Sequence, residues 1–559
     1  MQKVLTAEEM REVDRLTTEK YGIPSILLME NAAHAAARVI TEKLGGSVAG
    51  KSFLILCGKG NNGGDGAALA RVLALSGAIV DLILFGKIED SKNDAKTNFE
   101  IIENVAHNEK PKNEVRQVVG TWFGGSSQGT LSFNNCVSAN EWIEDEIAEI
   151  FSRADVVVDA LFGTGLTRSV SELFLKVVES VKWKYEDRLS KNKPFIFSLD
   201  IPSGLNADLS HSIGENVHAD LTVTFTAPKP ANVLTPASNF NGELVVVNIG
   251  SPQELIDNSP SKLFLAEKQE AQDWLRKTNF ASDSHKTARG RALIIAGSKK
   301  MAGAAVLATN AAMVSGLGLV RVATPESARD AVASRTAPET LIAGVKETKS
   351  GAISHAALGE VFELTEKADV VLIGSGLGSD ENSTRKFVRE FVEKRKFPVL
   401  IDADGLNALA PFNLKGSDEF PLILTPHIGE MRRLLGVGDE ADLSDRVKVV
   451  REFAEKHRVI LVLKGERNLI AAPDGRVVVS PTGNSGLGKA GSGDTLAGIV
   501  AGFLAQSVGM KVDIFETVVA ALYIAGLAGD IAAEKFGKRV MTASDVRECL
   551  GKAFKSIKN

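Results

Sequence analysis

The segment Pro481–Gly498, PTGNSGLGKAGSGDTLAG, combines closely spaced glycines with one lysine and one aspartate. From Gly483 it differs by one residue from the phosphate-binding loop G-x-x-x-x-G-K-[ST], because Ala490 occupies the position of the hydroxyl residue that binds Mg²⁺. In that loop the helix also begins at the lysine, whereas here Gly-Ser-Gly intervenes before an apolar helix. The pattern therefore argues against a P-loop and indicates Asp494 as the candidate functional residue.

The stretch AGSGD favours a different phosphate site at the same place. Its small residues expose successive backbone N–H groups at the start of the helix TLAGIVAGFLAQ, where partial positive charge stabilises a phosphoryl group in transfer. Asp494 at this helix start can accept a proton from a hydroxyl that attacks phosphorus. Helix capping is its alternative role, and the two roles are compatible.

A second glycine loop, Gly58–Gly63 (GKGNNG), satisfies the dinucleotide pattern G-x-G-x-x-G. The acidic residue expected at the end of the following strand is absent there, since Asp81 precedes LILF within that strand. The dinucleotide interpretation therefore loses its support. The glycines and the adjacent polar residues still favour an anionic ligand at a helix N-terminus, and a tight turn is the structural alternative.

Two aspartates follow buried-type strands in the same half of the chain. Asp159 ends VVVD and Asp200 ends FIFSLD. In an open parallel sheet, ligands bind beyond the carboxyl ends of the strands. Either aspartate alone is explained by a turn or a helix cap, but together with the glycine loop they predict a binding site at one sheet edge.

The elements that position these residues form two α/β series. The first begins with a helix capped by Thr6 and Glu9 and continues through apolar strands such as SFLILC, VDLILF and LTVTF. The second begins at GRALIIAGS and ends in long apolar helices. Near-continuous apolar strands separated by helices predict parallel sheets covered on both faces. We expect domains at residues 1–255 and 256–559, a surface insertion around residues 103–150, and a connector over 250–279.

Composition restricts the class of protein. The 559 residues are 44% hydrophobic and 24% charged, with a net charge of −5 and 6% aromatic residues, so neither nucleic-acid nor membrane-surface binding is expected. Cys57, Cys136 and Cys549 are far apart and form no C-x-x-C motif, which indicates a reducing, cytoplasmic location. The charged N-terminus does not resemble a signal peptide. A homo-oligomer is compatible with the sequence.

The motifs GNNGGDG, DALFGTGL and DIPSGLNAD resemble the NAD(P)H-hydrate epimerase domain, across about residues 1–250. This resemblance implies a Rossmann-like fold and a K⁺ ion near Asn62, Asp159 and Ser203, whose oxygen ligands suit a hard cation. It also implies that the hydrated nucleotide contacts Asn61, Asn62, Gly63, Gly64, Asp65, Gly163, Thr164, Gly165, Leu166, Thr167, Arg168, Ser169 and Asp200.

The motifs GSGLG, DADGLN, LTPHIGEM, LKG and GSGD resemble the ribokinase-like ADP- or ATP-dependent NAD(P)H-hydrate dehydratases, across about residues 275–555. The resemblance implies substrate contacts at Ala304, Gly376, His427 and Asp494, with Asp494 as the base. It implies contacts to Mg²⁺-bound ADP or ATP at Lys464, Gly465, Glu466, Arg467, Asn468, Asn484, Ser485, Gly486, Leu487, Gly488, Lys489, Ala490, Gly491, Ser492 and Gly493. Ser485 replaces the family's usual proline and Lys489–Ala490 its usual Thr-Gly, and Lys489 is expected to add a cation beside the polyphosphate.

Together the resemblances imply a bifunctional repair enzyme. Its first domain interconverts the R and S forms of hydrated NADH or NADPH, and its second uses ADP or ATP to dehydrate the S form. Two alternatives stay open: a ribokinase-like small-molecule kinase, and an N-terminal domain that binds nucleotides without catalysis. The sequence does not decide whether ADP or ATP is the phosphoryl donor, or whether hydrated NADH or NADPH is the preferred substrate. It also does not identify the residue that transfers a proton in the epimerase.

Overall fold

The computed structural model describes residues 1–106, 118–121, 129–136, 151, 153–170, 172–186, 193–282, 284–378 and 381–558. The chain forms two compact units, residues 3–261 and residues 1–2 with 262–559. Each is an α/β unit built on one sheet, which confirms the predicted fold class. The division lies close to the predicted boundary after residue 255.

A mainly parallel sheet forms the centre of the N-terminal unit. Its order is β3-β4-β2-β1-β5-β6-β7-β8, and only β3 and β4 pair antiparallel. These strands are β1 (Ser52–Cys57), β2 (Ile79–Phe85), β3 (Val118–Thr121), β4 (Thr130–Cys136), β5 (Val156–Ala160), β6 (Phe195–Leu199), β7 (Leu221–Phe225) and β8 (Glu243–Val247).

Helices cover both faces of this sheet. In β1, Phe53 and Ile55 pack into one apolar core, whereas Leu54 and Leu56 pack into another on the opposite face. Thr6 and Glu9 form the predicted capping box at the first helix. The helices of this unit are α1 (Ala7–Tyr21), α2 (Ser25–Lys43), α3 (Asn61–Leu75), α4 (Asn93–Ala106), α5 (Glu172–Glu186), α6 (Pro230–Val233) and α7 (Gln253–Asp257).

The predicted surface insertion is wrong for residues 130–136. These residues form β4, which pairs in parallel with β2 and buries Leu131 and Phe133 in the core. The sequence signal is weak because two apolar residues alternate with Ser132 and Asn134 over a short stretch. Residues 107–117, 122–128 and 137–150 of the predicted insertion lie outside the described residues.

A larger sheet forms the centre of the C-terminal unit, in the order β9-β18-β17-β16-β15-β14-β13-β10-β11-β12. Gln2 belongs to this unit, beside β9. The strand β17 is antiparallel to both of its neighbours, and the other pairs are parallel. The strands are β9 (Leu263–Leu265), β10 (Arg291–Ile295), β11 (Leu319–Pro325), β12 (Leu341–Val345), β13 (Val370–Ile373), β14 (Val399–Ile401), β15 (Leu422–Leu424), β16 (Ile460–Leu463), β17 (Leu469–Ala471) and β18 (Val477–Val479).

The connector prediction is wrong for residues 263–277, which form β9 and α8. Trp274 is buried on the inward face of α8, and its indole nitrogen donates to Ser507 Oγ over 2.9 Å. The helices of this unit are α8 (Lys268–Lys277), α9 (Ala302–Val314), α10 (Arg329–Ala333), α11 (Leu358–Thr365), α12 (Asn382–Glu393), α13 (Asp404–Leu409), α14 (Ile428–Leu435), α15 (Arg446–His457), α16 (Ser492–Met510), α17 (Ile514–Phe536) and α18 (Ala543–Lys558).

Helices α9 and α16 approach each other through small residues. A Cβ atom at Gly498 would lie 2.1 Å from Ala308 O, and one at Gly502 would lie 2.6 Å from Ser315 Cβ. Only glycine allows this backbone distance at the two positions. The pair therefore packs by direct backbone contact behind the start of α16.

Among the described residues, α17 alone has the length and apolar composition of a membrane-spanning helix. Two thirds of its apolar window (67%) is buried inside the fold. A core helix has the same property, so one such helix is weak evidence for a span.

Candidate active sites

The N-terminal unit gathers polar residues at the carboxyl ends of four adjacent parallel strands. The strands β1, β5, β6 and β7 lead to Asn62, Asp159, Asp200 and Lys229, in that order. A cavity of about 590 Å³ opens at this edge, a volume typical of small-molecule sites. The sheet thus brings together residues that are up to 167 positions apart, between Asn62 and Lys229.

Close packing explains most glycines of the first loop. A Cβ at Gly63 would lie 1.7 Å from Gly58 O, and a Cβ at Gly58 would lie 2.0 Å from Leu161 O. Gly60, by contrast, faces open space. The glycines thus fold the loop tightly, while the side chains of Asn61, Asn62 and Asp65 form part of the cavity wall.

Asn62 carries a buried amide with neither its oxygen nor its nitrogen hydrogen-bonded within the described residues. Asp159 is fully buried and accepts hydrogen bonds from Ser203 Oγ (2.5 Å), Ser203 N (2.8 Å) and Ser198 Oγ (2.9 Å). Burial raises the pKa of Asp159, and these hydrogen bonds oppose the rise. Buried amide atoms without a hydrogen-bond partner are uncommon, and a bound water or ion is one way in which such atoms are satisfied.

Asp200 and Lys229 form a buried ion pair beside the cavity. Lys229 Nζ donates to Asp200 Oδ1 over 2.5 Å, to Thr224 Oγ1 over 3.0 Å and to Phe225 O over 3.0 Å. Asp200 has a φ of +63°, a left-handed conformation that is costly for a non-glycine residue. These contacts hold the carboxylate in a fixed position at the end of β6.

Two more carboxyls enter the same cavity wall, from Asp14 on α1 and Asp65 on α3. Burial raises the pKa of Asp14 to about 6 and that of Asp65 well above its ordinary value. The charge of Asp200 adds to both shifts, and that of Lys229 opposes them. Sequence reasoning missed Asp14 and Lys229, although Asp14 follows the buried positions Met10 and Val13 along α1.

Some of the predicted epimerase residues lie in the cavity wall, and the others lie outside it. The cavity wall contains Asn61, Asn62, Asp65, Gly163, Thr164, Gly165, Leu166 and Asp200. Gly63 and Gly64 are buried at the base of α3, and Thr167, Arg168 and Ser169 are exposed outside the described cavity wall.

The C-terminal unit also gathers its candidate site residues at the carboxyl ends of adjacent parallel strands. Gly374–Gly378, Asp402, His427 and Lys464 follow the adjacent strands β13, β14, β15 and β16. Lys464 Nζ lies 2.6 Å from Asp402 Oδ1 and 3.8 Å from Glu430 Oε2. Burial lowers the pKa of Lys464, but the two carboxylates outweigh burial and raise it above its ordinary value. Lys464 is therefore a fixed cation.

Asp494 lies in the first turn of α16, which begins at Ser492 after Gly491 adopts a φ of +85°. Burial raises the pKa of Asp494, the hydroxyl of Ser375 and the charge of Lys464 oppose this, and Asp402 adds to it. The helix thus begins three residues after Lys489, which agrees with the prediction against a P-loop. Asp402 was missed, although it ends its strand as Asp159 does.

Two of the other predicted substrate residues are in direct contact. Gly376 has a φ of +67°, and a Cβ there would lie 2.7 Å from the Ala304 Cβ. His427 is the N-cap of α14, where Nδ1 accepts from Gly429 N over 3.0 Å. The His427 side chain is 54% exposed, and its second ring nitrogen, Nε2, lies 3.6 Å from Glu430 Oε1.

A second cavity, of about 150 Å³, lies between Lys464 and the start of α16. From the predicted nucleotide set its wall contains Lys464, Gly465, Asn468, Leu487, Ser492 and Gly493. The other predicted members, Glu466, Arg467, Asn484, Ser485, Gly486, Gly488, Lys489, Ala490 and Gly491, lie in the segments on either side of it.

Lys489, predicted to place a cation beside the polyphosphate, directs its ammonium to two backbone carbonyls. Its Nζ donates to Arg539 O over 2.6 Å and to Met541 O over 2.8 Å. Asn484 is similarly engaged, since its Nδ2 donates to Gly529 O and Asp530 Oδ1. Both side chains therefore fix the loop that precedes α16.

Comparisons with known proteins find a separate family match in each of the two units. A family model described as NAD(P)H-hydrate dehydratase matches residues 292–552, and one described as YjeF-related protein N-terminus matches residues 25–231. A solved ADP/ATP-dependent NAD(P)H-hydrate dehydratase from Bacillus subtilis, co-crystallised with ATP/Mg²⁺, is 29% identical; the match covers 53% of this chain and 98% of that chain, with a TM-score of 0.46.

Full-length relatives match both units at once. The bifunctional NAD(P)H-hydrate repair enzyme of Moorella thermoacetica is 37% identical over 98% of this chain and 96% of its own. The enzyme of the same name from Thermofilum pendens is 34% identical over 100% of this chain and 97% of its own. The chain belongs to the family of bifunctional NAD(P)H-hydrate repair enzymes.

Proposed function

We propose that residues 1–255 interconvert the R and S epimers of hydrated NADH or NADPH, and that residues 256–559 return the S epimer to the reduced cofactor with ADP or ATP. The observation that carries this proposal is the presence of two separate sites, each with buried carboxylates at the carboxyl ends of a parallel sheet. Full-length similarity to bifunctional repair enzymes supports it.

In the dehydratase site, Asp494 accepts the proton of the substrate hydroxyl as the hydroxyl oxygen attacks the terminal phosphorus of the nucleotide. The P–O bond to the rest of the nucleotide breaks, and AMP leaves from ADP or ADP leaves from ATP. The first-turn N–H groups of α16 and the Lys464 ammonium stabilise the transferring phosphoryl group. The ring nitrogen then supplies the electron pair that forms the C=N bond, the C–O bond breaks, and phosphate leaves. Loss of a ring proton restores the C=C bond of NADH or NADPH.

Mg²⁺ fits this site as a companion of the nucleotide. The described residues contain no cluster of three metal-binding side chains. Polyphosphate oxygens of the nucleotide would supply the remaining ligands. Asp402 and Glu430 are the buried carboxylates that would hold the ion, and it would neutralise phosphate charge there. The choice between ADP and ATP is left to experiment.

K⁺ fits the N-terminal site. The free oxygen of the buried Asn62 amide, the Asp159 carboxylate and the Ser203 hydroxyl are hard ligands for an alkali cation. When bound, the ion would place positive charge beside the anionic nucleotide. The chain's own contribution is to orient these three groups through the Asp159–Ser203 hydrogen bonds.

The assay uses hydrated NADPH as a mixture of epimers, with ADP or ATP and Mg²⁺. We expect reduced-nicotinamide absorbance to recover in two phases, a fast one from the S epimer and a slower one limited by epimerisation. No recovery with either nucleotide would contradict the dehydratase. Consumption of nucleotide with a stable phosphate ester as product would instead indicate a small-molecule kinase.

We place this activity in the cytoplasm, on the evidence of composition and cysteine content. A homo-oligomer is compatible with the proposal, and sedimentation of the intact chain measures it.

A further inference from the structure

Asp14 has an unusual position among the polar residues of the N-terminal cavity. It lies on α1 beside the buried residues Met10, Val13 and Thr17, so its side chain is on the inward face of the helix. Its carboxyl lines the cavity of about 590 Å³ together with Asn62 and Asp200. One of its oxygens, Oδ1, is buried and has no hydrogen-bond partner within the described part of the chain.

The lysine whose charge opposes the pKa rise of Asp14 is paired with another carboxylate. Lys229 Nζ directs its three hydrogen bonds to Asp200 Oδ1, Thr224 Oγ1 and Phe225 O. Asp200 is thus paired with Lys229, whereas no ion pair within the described part of the chain involves Asp14. Burial raises the pKa of Asp14 to about 6, Lys229 opposes this and Asp200 adds to it.

Other titratable groups face the same space and define the electrostatic setting of Asp14. They are Arg11 on its own helix and Lys59, Asp65, Asp94, Asp200 and Lys229 from the elements packed around the cavity. Asp65 also has a raised pKa, from burial first and then from Asp200 and Asp14. A substrate in the cavity therefore meets one ion pair and two carboxyls that readily hold a proton.

We propose that Asp14 is the acid that protonates the departing hydroxyl during epimerisation, an inference that rests on the proposed epimerase function. The ring nitrogen supplies an electron pair to form a C=N bond, the C–O bond breaks, and the Asp14 proton converts the leaving oxygen into water. Water then adds to the opposite face of the ring, the electron pair returns to nitrogen, and the added water releases one proton. Asp14 is reprotonated from solvent, so atoms and charge balance.

The step can be measured without the dehydratase. The intact protein is mixed with purified R epimer in the absence of nucleotide, and appearance of the S epimer is followed by chromatography after subtraction of the spontaneous rate. We expect Asp14→Asn to slow interconversion at least about 100-fold, the scale of general acid catalysis. The matched control Glu12→Gln changes an exposed carboxylate of the same helix and should keep the wild-type rate.

A second readout uses the unaltered protein. An acid with a pKa of about 6 loses its proton above that pH, so the wild-type rate should fall about tenfold per pH unit above pH 6. A pH-independent rate between pH 5 and about 8 would overturn the proposal even if Asp14→Asn does not fold. Wild-type interconversion rates in a folded Asp14→Asn protein would also overturn it.

The same experiment separates this inference from the proposed function. If the wild-type protein does not accelerate interconversion at all, the epimerase function fails and the role of Asp14 fails with it. If the wild-type protein is active and Asp14→Asn is equally active, only the role of Asp14 fails. With ADP or ATP added, Asp14→Asn should retain the fast recovery phase of the S epimer, which shows that residues 262–559 have folded, and a wild-type thermal unfolding transition reports the folding of residues 3–261.

Discussion

Lys464 Nζ lies 2.6 Å from Asp402 Oδ1, and this buried pair joins the carboxyl ends of β16 and β14. Thr425 Oγ1 donates to the same carboxylate oxygen over 2.8 Å, so three adjacent strands converge on one atom. Lys464 also belongs to the wall of the second cavity. The order of the strands therefore fixes the position of the Lys464 ammonium in the proposed nucleotide site.

Replacing Lys464 by Met should lower dehydratase turnover by about 100- to 1000-fold, because the transferring phosphoryl group loses a fixed cation. It should also lower the free energy of unfolding by about 3–5 kcal/mol, since Asp402 is left buried without its partner. Steady-state kinetics and thermal unfolding measure the two effects. The double variant Asp402→Asn/Lys464→Met should recover much of the stability but not the activity; full activity in the single variant would contradict this role of Lys464.

Replacing Asp494 by Asn should abolish dehydration and change nucleotide affinity by less than about threefold, because the base is lost while the helix N-terminus is kept. A base must be deprotonated, so wild-type turnover should fall as the pH falls through the raised pKa of Asp494, above the ordinary 3.8. The control Asp513→Asn makes the same charge change at the cap of α17, where asparagine can still accept the capping hydrogen bond, and should leave turnover unchanged. Unchanged turnover in Asp494→Asn would exclude it as the base.

Replacing Ser203 by Ala should raise the K⁺ concentration needed for half-maximal epimerisation at least about tenfold, since a ligand oxygen is lost. Ser198→Ala is the matched control, because its hydroxyl bonds the same Asp159 carboxylate but is not a proposed ligand. The measurement is a K⁺ titration at constant ionic strength with Li⁺. Epimerisation that is equally fast without K⁺ would remove the ion from the proposal.

Replacing Lys489 by Met should raise the KM for the nucleotide about tenfold with little change in kcat. Its ammonium makes two charged hydrogen bonds to the segment between α17 and α18, and each contributes about 1.5–3 kcal/mol. Lys538→Met, an exposed lysine on that segment, should behave as the wild type. A lower KM in Lys489→Met would contradict a positioning role.

Sequence patterns identified the parts of each site that follow directly from a strand. Asp159, Asp200 and Lys464 end apolar strands, and the strand-end rule of parallel sheets brings such residues to one edge. The strand order, in contrast, could not be derived from the pattern. Asp14 is 186 positions from Asp200 along the chain, and its place in the cavity depends on how α1 packs on the completed sheet.

Short or mixed patterns account for the errors in the fold. The strand β4 alternates polar and apolar residues over a few positions, and α8 exposes most of its charged surface while Ala271 and Trp274 are buried. The hydrogen-bond partners of Lys489 could also not be predicted from the sequence, because they are backbone carbonyls about 50 positions away. Such contacts carry no residue-type signature.

The close contact between α9 and α16 at Gly498 restricts the position of α16, which carries the proposed base Asp494. Gly498 is four residues after Asp494 on α16, and its backbone rests against Ala308 O with no room for a methyl group. A shift of α16 along its axis would therefore bring it into collision with α9. This contact also fixes the position of the Asp494 carboxylate, which lies in the first turn of α16. Since a misplacement of about 1 Å can cost about 100-fold in rate, we expect a larger residue at position 498 to slow the proposed dehydration, although Gly498 lines neither described cavity.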